Sequence, residues 1–348
     1  MRAITVIPMK AGSMRLDDIA EPRPGHDELL VEGLAMGVCG TDREIARGAY
    51  GWAPPERERL LLGHESLGQV IQAPTGCGFS PGELVVGIVR RPDPVPCPHC
   101  AIGDWDMCSN GQYTERGIKA LDGYGAQRYL LESAFAVRVD PSLASVGVLL
   151  EPTSIVAKAW EHVDRIGKRA LWEPKRALVT GAGPVGLLAA LLGVQRGLEV
   201  HVFDRVTDGP KPALVKALGA HYHVGRLDDA GPRPDVLLEC TGASALVLGG
   251  IDRLAAGAVM CLPGVSSGSR STTIEFAMVN RKFVLDNAVV FGSVNANVRH
   301  YQAASDALYR ADPAWLEGLI TRRVATTNLR DAFERLRDDV KVVVDPLK

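Results

Sequence analysis

Phenylalanine, tryptophan and tyrosine make up only 5% of the 348 residues. So thin a supply excludes the aromatic stacking platform of a single-strand nucleic-acid binder. Charge of one sign is missing too: 39 Lys and Arg stand against 41 Asp and Glu, a net charge of −2. That balance points away from nucleic acid or an anionic membrane as partner. No uncharged apolar run is long enough to span a bilayer. Residues 1–8 read as a short strand, without the apolar core and cleavage signature of a signal peptide. A disulfide framework needs paired cysteines, and there are seven. Three of them, Cys97, Cys100 and Cys108, fall close together. This fits metal ligation in a reducing cytoplasm better than disulfides. The remainder is ordinary for a globular protein, 46% hydrophobic and 23% charged, with a length that suggests about two domains.

Residues 1–150 carry short β-like runs, such as 29–34 and 83–89, separated by Gly and Pro. The spacing predicts a β-rich domain with long functional loops. The character changes at Glu151-Pro152, after which apolar residues recur at helical spacing to about His162. Pro152 suits the start of that helix. The run 176–180 reads as a buried strand, 187–192 as a helix and 199–203 as the next strand, which together make one βαβ unit. Strand-like runs at 236–240 and 258–262 continue the rhythm of a doubly wound parallel sheet over residues 151–292. From about 293 to 348 the chain returns to helix, loop and a last strand, 342–344. The fold class is therefore α/β.

Two motifs carry chemistry. The turn Gly181-Ala182-Gly183-Pro184-Val185-Gly186 follows a strand and opens a helix. In that context the glycines let the backbone approach a dinucleotide pyrophosphate, and the helix N-terminus stabilises its charge. Asp204 ends the next strand, where a carboxylate accepts both ribose hydroxyls of NAD and repels a 2′-phosphate. NAD is therefore favoured, while Arg205 beside it leaves NADP open. The second motif is Cys39-Gly40-Thr41-Asp42 with Gly63-His64-Glu65, joined by Glu151 at the change of character. A thiolate, an imidazole and a carboxylate are zinc ligands. Thiolate plus both carboxylates would leave a net charge of about −1 on Zn²⁺ and blunt its Lewis acidity. One carboxylate is thus expected to be loosely held or to act through water. Glu151 is preferred for the permanent or water-bridged role, with Glu65 less firmly placed. Zinc beside a nicotinamide is equipment for taking hydride from an alcohol carbon.

Over nearly its full length the chain resembles the zinc-dependent medium-chain dehydrogenases, and among them the archaeal-type glucose dehydrogenases. The general resemblance lies in Gly37-Val38-Cys39-Gly40-Thr41-Asp42-Arg43-Glu44-Ile45 and Gly63-His64-Glu65. Tyr113-Thr114-Glu115-Arg116-Gly117-Ile118, Glu151-Pro152-Thr153-Ser154 and Gly292-Ser293-Val294-Asn295 draw it toward sugar oxidation. The resemblance implies a GroES-like β-rich catalytic domain over 1–150, completed by 293–348, and a Rossmann domain over 151–292. It implies catalytic zinc at Cys39, His64 and Glu151 with Glu65 adjacent, and Thr41 as proton relay. Glu115 and Asn295 match positions that contact sugar hydroxyls or cofactor. It also implies oxidation of an aldose at C1, glucose-like, to an aldonolactone by a homodimer or homotetramer. A polyol or other secondary-alcohol dehydrogenase uses the same metal and cofactor and stays an alternative. So does a non-catalytic NAD-binding regulatory protein on this scaffold.

Two departures from the family stand out. Its structural zinc sits on C-x₂-C-x₂-C-x₇-C, of which Cys97, Cys100 and Cys108 fill the last three places. Pro94 falls in the first place and cannot bind metal. Either three thiolates take a substitute ligand, with Asp93 and His99 near in sequence, or the lobe is empty. In addition, the glucose enzymes often place Asn near the position of Arg90. An arginine facing the pocket would suit a sugar acid or sugar phosphate; otherwise Arg90-Arg91 is a solvated loop or a subunit contact.

Overall fold

The computed structural model describes residues 1–266 and 273–345. The chain divides into two compact units, Met1–Ser154 with Asn295–Lys348, and Ile155–Val294.

The first unit is built on the strand Glu28–Val38. Leu29 and Val31 point into the core while Leu30 and Glu32 do not, the period of two that a half-covered strand requires. Met36, Gly37 and Val38 are all buried. There the strand is flanked by Glu65–Gln72 on one edge and by Lys341–Val344 on the other, both antiparallel to it. Two irregularities in its pairing with Glu65–Gln72, at Leu30/Val31 and Gly33/Ala35, bend the strand. Leu84–Gly87 and Ala136–Val139 extend the sheet beyond Glu65–Gln72, and Ile320–Val324 lies outside Lys341–Val344. The chain that returns after the second unit therefore fills an inner place in the sheet. A small sheet of Arg90–Arg91, Thr114–Arg116 and Ala120–Leu121 sets Arg90 opposite Glu115.

The second unit is a six-stranded sheet, parallel throughout. Its order is His221–His223, Glu199–Phe203, Arg176–Thr180, Val236–Glu239, Val259–Leu262 and Val289–Gly292. The chain winds outward one way from Arg176–Thr180 and then the other way from Val236–Glu239. Their carboxyl ends form the switch point at which such sheets bind ligands. The helix Pro184–Gln195 is apolar all round, with Gly186 to Gly193 buried, as expected of a helix covered on every side. Buried Trp160 donates its indole N–H to Ala189 O at 3.2 Å, so its one polar atom is satisfied. The helix that begins near Glu151 is longer than expected, Leu150–Gly167, with Pro152 in its first turn, where no N–H is needed.

Candidate metal, sugar and dinucleotide sites

Cys39 caps the helix Gly40–Ala46, and its backbone N–H donates to Asp42 Oδ2 at 2.8 Å. His64 lies in the loop just before the strand that Glu65 opens. Pairing of that strand with Glu28–Val38 sets Glu65 opposite Gly37, two residues from Cys39. The sheet thus joins what the sequence separates. One ligand atom each from Cys39, His64 and Glu65 lies within 4.8 Å of the other two; His64 and Glu65 are buried and Cys39 is partly exposed. Glu151, in the first turn of Leu150–Gly167, is not in that group.

The electrostatics tie these residues together. His64 Nδ1 faces Asp42 Oδ1 at 3.2 Å, and Asp42 is fully buried. A carboxylate on Nδ1 fixes the ring and leaves Nε2 for a metal, the usual outer-shell arrangement. Burial opposes a charge on His64, yet Asp42 and Cys39 hold its pKa well above the ordinary value. Asp42 is pushed up by burial and drawn back below its usual range by His64. Glu151 is pushed up to about 8, first by burial, with the Glu65 carboxylate adding to it. Sequence reasoning missed a further member, Lys341, whose ammonium pairs with Glu65 Oε2 while both side chains are almost wholly buried.

Glu115 and Asn295, far apart in sequence, meet directly. Glu115 Oε1 accepts Asn295 Nδ2 at 2.8 Å and Arg90 Nε and Nη2 at 3.1 and 2.9 Å. Asn295 adopts φ +62°, a left-handed conformation that Asn tolerates better than most residues. The Arg90 guanidinium stacks on the Tyr113 ring at 3.7 Å, and only 3% of the residue is exposed. Neither a solvated loop nor a free cation describes Arg90, because Glu115 already neutralises it.

At the switch point, Gly181 takes φ +92°. A Cβ on Gly186 would lie 1.8 Å from Gly181 O, so the turn closes only with glycine there. Asp204 is turned inward: Oδ2 accepts the Ala182 N–H at 2.6 Å and Lys211 Nζ at 3.3 Å, and Oδ1 accepts the Val206 N–H at 3.0 Å. Burial raises its pKa, but those amides and Lys211 hold it below the usual range. The expected preference for NAD rested on a free carboxylate at this position. A carboxylate committed to the glycine turn and neutralised by Lys211 removes that basis. Arg205 next to it is exposed. A second residue missed from sequence is Glu239, fully buried, which accepts Thr180 Oγ1 at 3.1 Å and the N–H groups of Thr241 and Gly242 at 3.0 and 2.9 Å. It ties the ends of the two strands that form the switch point.

In the cysteine lobe the sulfurs of Cys97, Cys100 and Cys108 lie within 4.8 Å of one another. Backbone N–H groups of Cys100 and Ser109 pull the Cys97 thiol down to about 6, while burial pushes Cys100 up to about 11. Of the substitute ligands weighed, His99 is exposed. Asp93 is buried, but its oxygens are engaged by the Val95 N–H at 2.9 Å and by the Asn110 side-chain amide. Among the described residues, no helix is long and apolar enough to cross a membrane.

Two family models match the chain, the alcohol dehydrogenase GroES-like domain over residues 25–141 and the glucose dehydrogenase C-terminus over 144–346. Glucose 1-dehydrogenase of Methanocella arvoryzae is 38% identical, with 99% of each chain covered. That of Thermoproteus tenax is also 38% identical at the same coverage. The solved glucose dehydrogenase of Haloferax mediterranei, in complex with NADP, Zn and gluconolactone, superposes with a TM-score of 0.92 at 30% identity over 99% of both chains. With a thiol, an imidazole and a carboxylate gathered in a GroES-like domain, and a glycine turn at the switch point of a Rossmann sheet, the chain belongs to the glucose dehydrogenase family of zinc-dependent medium-chain dehydrogenases.

Proposed function

We propose that the protein oxidises a neutral aldose, glucose or a close relative, at C1 to the aldonolactone, using zinc and NADP or NAD. The observation that carries this reading is the gathering of a thiol, an imidazole and a carboxylate at Cys39, His64 and Glu65, the donor types that zinc favours, in a chain of this family. Cys39 and His64 would hold the metal together with a carboxylate from Glu151 or Glu65. When bound, zinc lowers the pKa of a ligated hydroxyl and the nicotinamide accepts hydride. The protein's own residues do the rest. Asp42 keeps the His64 ring in place through Nδ1. Thr41, in the first turn after Cys39, takes up the proton that leaves the sugar hydroxyl and passes it toward solvent. Glu115 spends Oε1 on Arg90 and Asn295, which leaves Oε2 to accept a sugar hydroxyl. Because Arg90 is already paired, a sugar acid or phosphate gains no unpaired cation there.

The turn from Gly181 through Gly183, Pro184, Val185 and Gly186 would hold the pyrophosphate. Acceptance of NADP is supported by the inward Asp204 and by the NADP bound to the Haloferax relative. Cys97, Cys100 and Cys108 would hold a second, structural zinc. A cytoplasmic homo-oligomer fits the free thiols, and it fits the exposed Phe276, Met278 and Leu285 on the helix Phe276–Asp286, beside the edge strand Val289–Gly292. The test is a dehydrogenase screen of aldoses, sugar phosphates and polyols with NADP and NAD in parallel. Turnover of neutral aldoses with either cofactor is expected. Turnover confined to polyols or phosphates would overturn the reading.

A further inference from the structure

We infer that Tyr50 and Trp52 form a second sugar subsite beside Glu115, which takes the outer ring of a reducing disaccharide whose inner ring is oxidised at C1. The inference rests on the aldose reading above and widens its substrate class. Of the five tryptophans only Trp52 is exposed, at 50%, and Tyr50 is 39% exposed. Their rings meet edge to face at 5.1 Å. Hydrogen bonds tie this pair to the sugar carboxylate. The Trp52 N–H donates to Ile118 O at 2.9 Å, and the Ala120 N–H donates to Trp52 O at 3.0 Å. Lys119, between those two, exchanges backbone bonds with Glu115 at 2.8 and 2.9 Å. One tight turn thus carries Glu115 and the support of Trp52. Gly51 takes φ +98° and is buried against Ile45, so the loop is anchored there while its neighbours on either side stay exposed.

The Tyr50 phenol lies close to Glu115: burial raises its pKa first, and the Glu115 charge adds to it. Exposure rises along this line, from buried Glu115 through half-buried Tyr113 to the open pair. The Tyr113 ring is already engaged by two cations, Arg90 at 3.7 Å and Lys119 at 4.0 Å. The aromatic surface left for a ligand is therefore that of Tyr50 and Trp52. A pyranose carries C–H groups on its faces and hydroxyls at its rim. An indole in water gains by covering the first, while a carboxylate oxygen accepts from the second. An anionic extension finds no free cation here, because Arg90 is paired with Glu115 and Lys119 Nζ donates to Gly111 O at 2.5 Å. The glycosidic bond stays intact, and hydride leaves C1 of the inner ring as it would from a monosaccharide.

The test compares kcat/KM for glucose with that for maltose, cellobiose, isomaltose and melibiose, using the full zinc-loaded chain and NADP. At least one disaccharide should be oxidised. Trp52→Ala should lower kcat/KM for that disaccharide by about tenfold, the scale of one lost aromatic stack, and leave glucose within about twofold. Trp52→Phe should keep most of the disaccharide activity. Without NADP, the same disaccharide should quench tryptophan emission where glucose does not, and the quench should vanish in Trp52→Phe. Glucose turnover with no disaccharide turnover, or an equal loss on both sugars in Trp52→Ala, would overturn the inference. So would a changed oligomer in Trp52→Ala with an unchanged sugar ratio, which would assign the pair to a subunit contact. Absence of turnover on glucose and every other neutral aldose would instead overturn the aldose reading.

Discussion

Cys39 and His64 are held from opposite sides by one residue. Asp42 accepts the Cys39 backbone N–H through one oxygen and faces the His64 ring with the other. Removing either proposed ligand should therefore abolish metal binding without disturbing the glycine turn. Cys39→Ala and His64→Ala are expected to lose zinc and at least about a hundredfold in kcat/KM, on the scale of losing one transition-state electrostatic partner. Nucleotide affinity by fluorescence titration should stay within about twofold. Full turnover in a zinc-free Cys39→Ala protein would end the metal mechanism. At this scale the sequence showed the residue types but not their partners. Cys39, His64, Glu115 and Asn295 stood in recognisable motifs. Lys341 is a single charge in the strand Lys341–Val344, almost at the other end of the chain from Glu65. Only the strand pairing reveals what it faces. Arg90 was visible as a departure, and its neutralisation by Glu115 was not.

Strands and helices set the surroundings of Asp204. The strand Glu199–Phe203 delivers Asp204 to the switch point as expected, but the helix Pro210–Ala217 brings Lys211 beneath it. The two charges, both nearly buried, offset each other, so the carboxylate repels a 2′-phosphate less than a free one would. Lys211→Met should restore that repulsion. The ratio of kcat/KM for NADP to that for NAD is expected to fall by about tenfold or more, with zinc content unchanged. No change in the ratio would mean that Asp204 does not sense the phosphate. The parallel strands were the most legible elements. Continuous apolar runs bounded by Gly and Pro, such as Arg176–Thr180 and Glu199–Phe203, appear where the sequence placed them. The helix start at Leu150 was not, because Pro152 reads as a first residue when it stands within the first turn. Asp204 failed as a cofactor signal for the same kind of reason: a side chain's direction depends on partners from another element.

For the molecule as a whole, stability should depend on pH through a histidine group on the edge of the parallel sheet. His201 Nδ1 contacts His223 Nε2 at 2.8 Å and its Nε2 contacts Glu199 at 3.2 Å, while the His221 ring stacks on it at 4.9 Å. Burial, first of all, holds both His201 and His223 below the ordinary 6.5, and the neighbouring rings and Arg253 add to this. The unfolded chain, free of these constraints, takes up protons sooner. The stability these groups contribute is therefore intact above about pH 6.5 and is lost as pH falls through the folded values. Thermal midpoints should decline from pH 7 to 5, and His201→Asn should flatten that decline. An equally steep decline in the variant would assign the acid sensitivity elsewhere. Metal content is a second whole-molecule quantity. Two zinc ions per chain are expected if the cysteine lobe is filled, falling to one in Cys100→Ser. One zinc in the unaltered chain would show the lobe empty.

The late return of the chain also has a consequence for synthesis. Residues 155–294 are contiguous and complete a parallel sheet on their own. The first unit must wait for Lys341–Val344 to take its place against Gly37 and Val38. On the ribosome, domains generally fold as they emerge, so the nucleotide-binding unit can finish while the metal centre is still open. Glu65 is then a carboxylate without its Lys341 counter-charge until the last strand arrives. A metal ion captured during that interval would bind before Glu65 is claimed by Lys341, so the order of metal loading and strand closure becomes a step that can be mistimed.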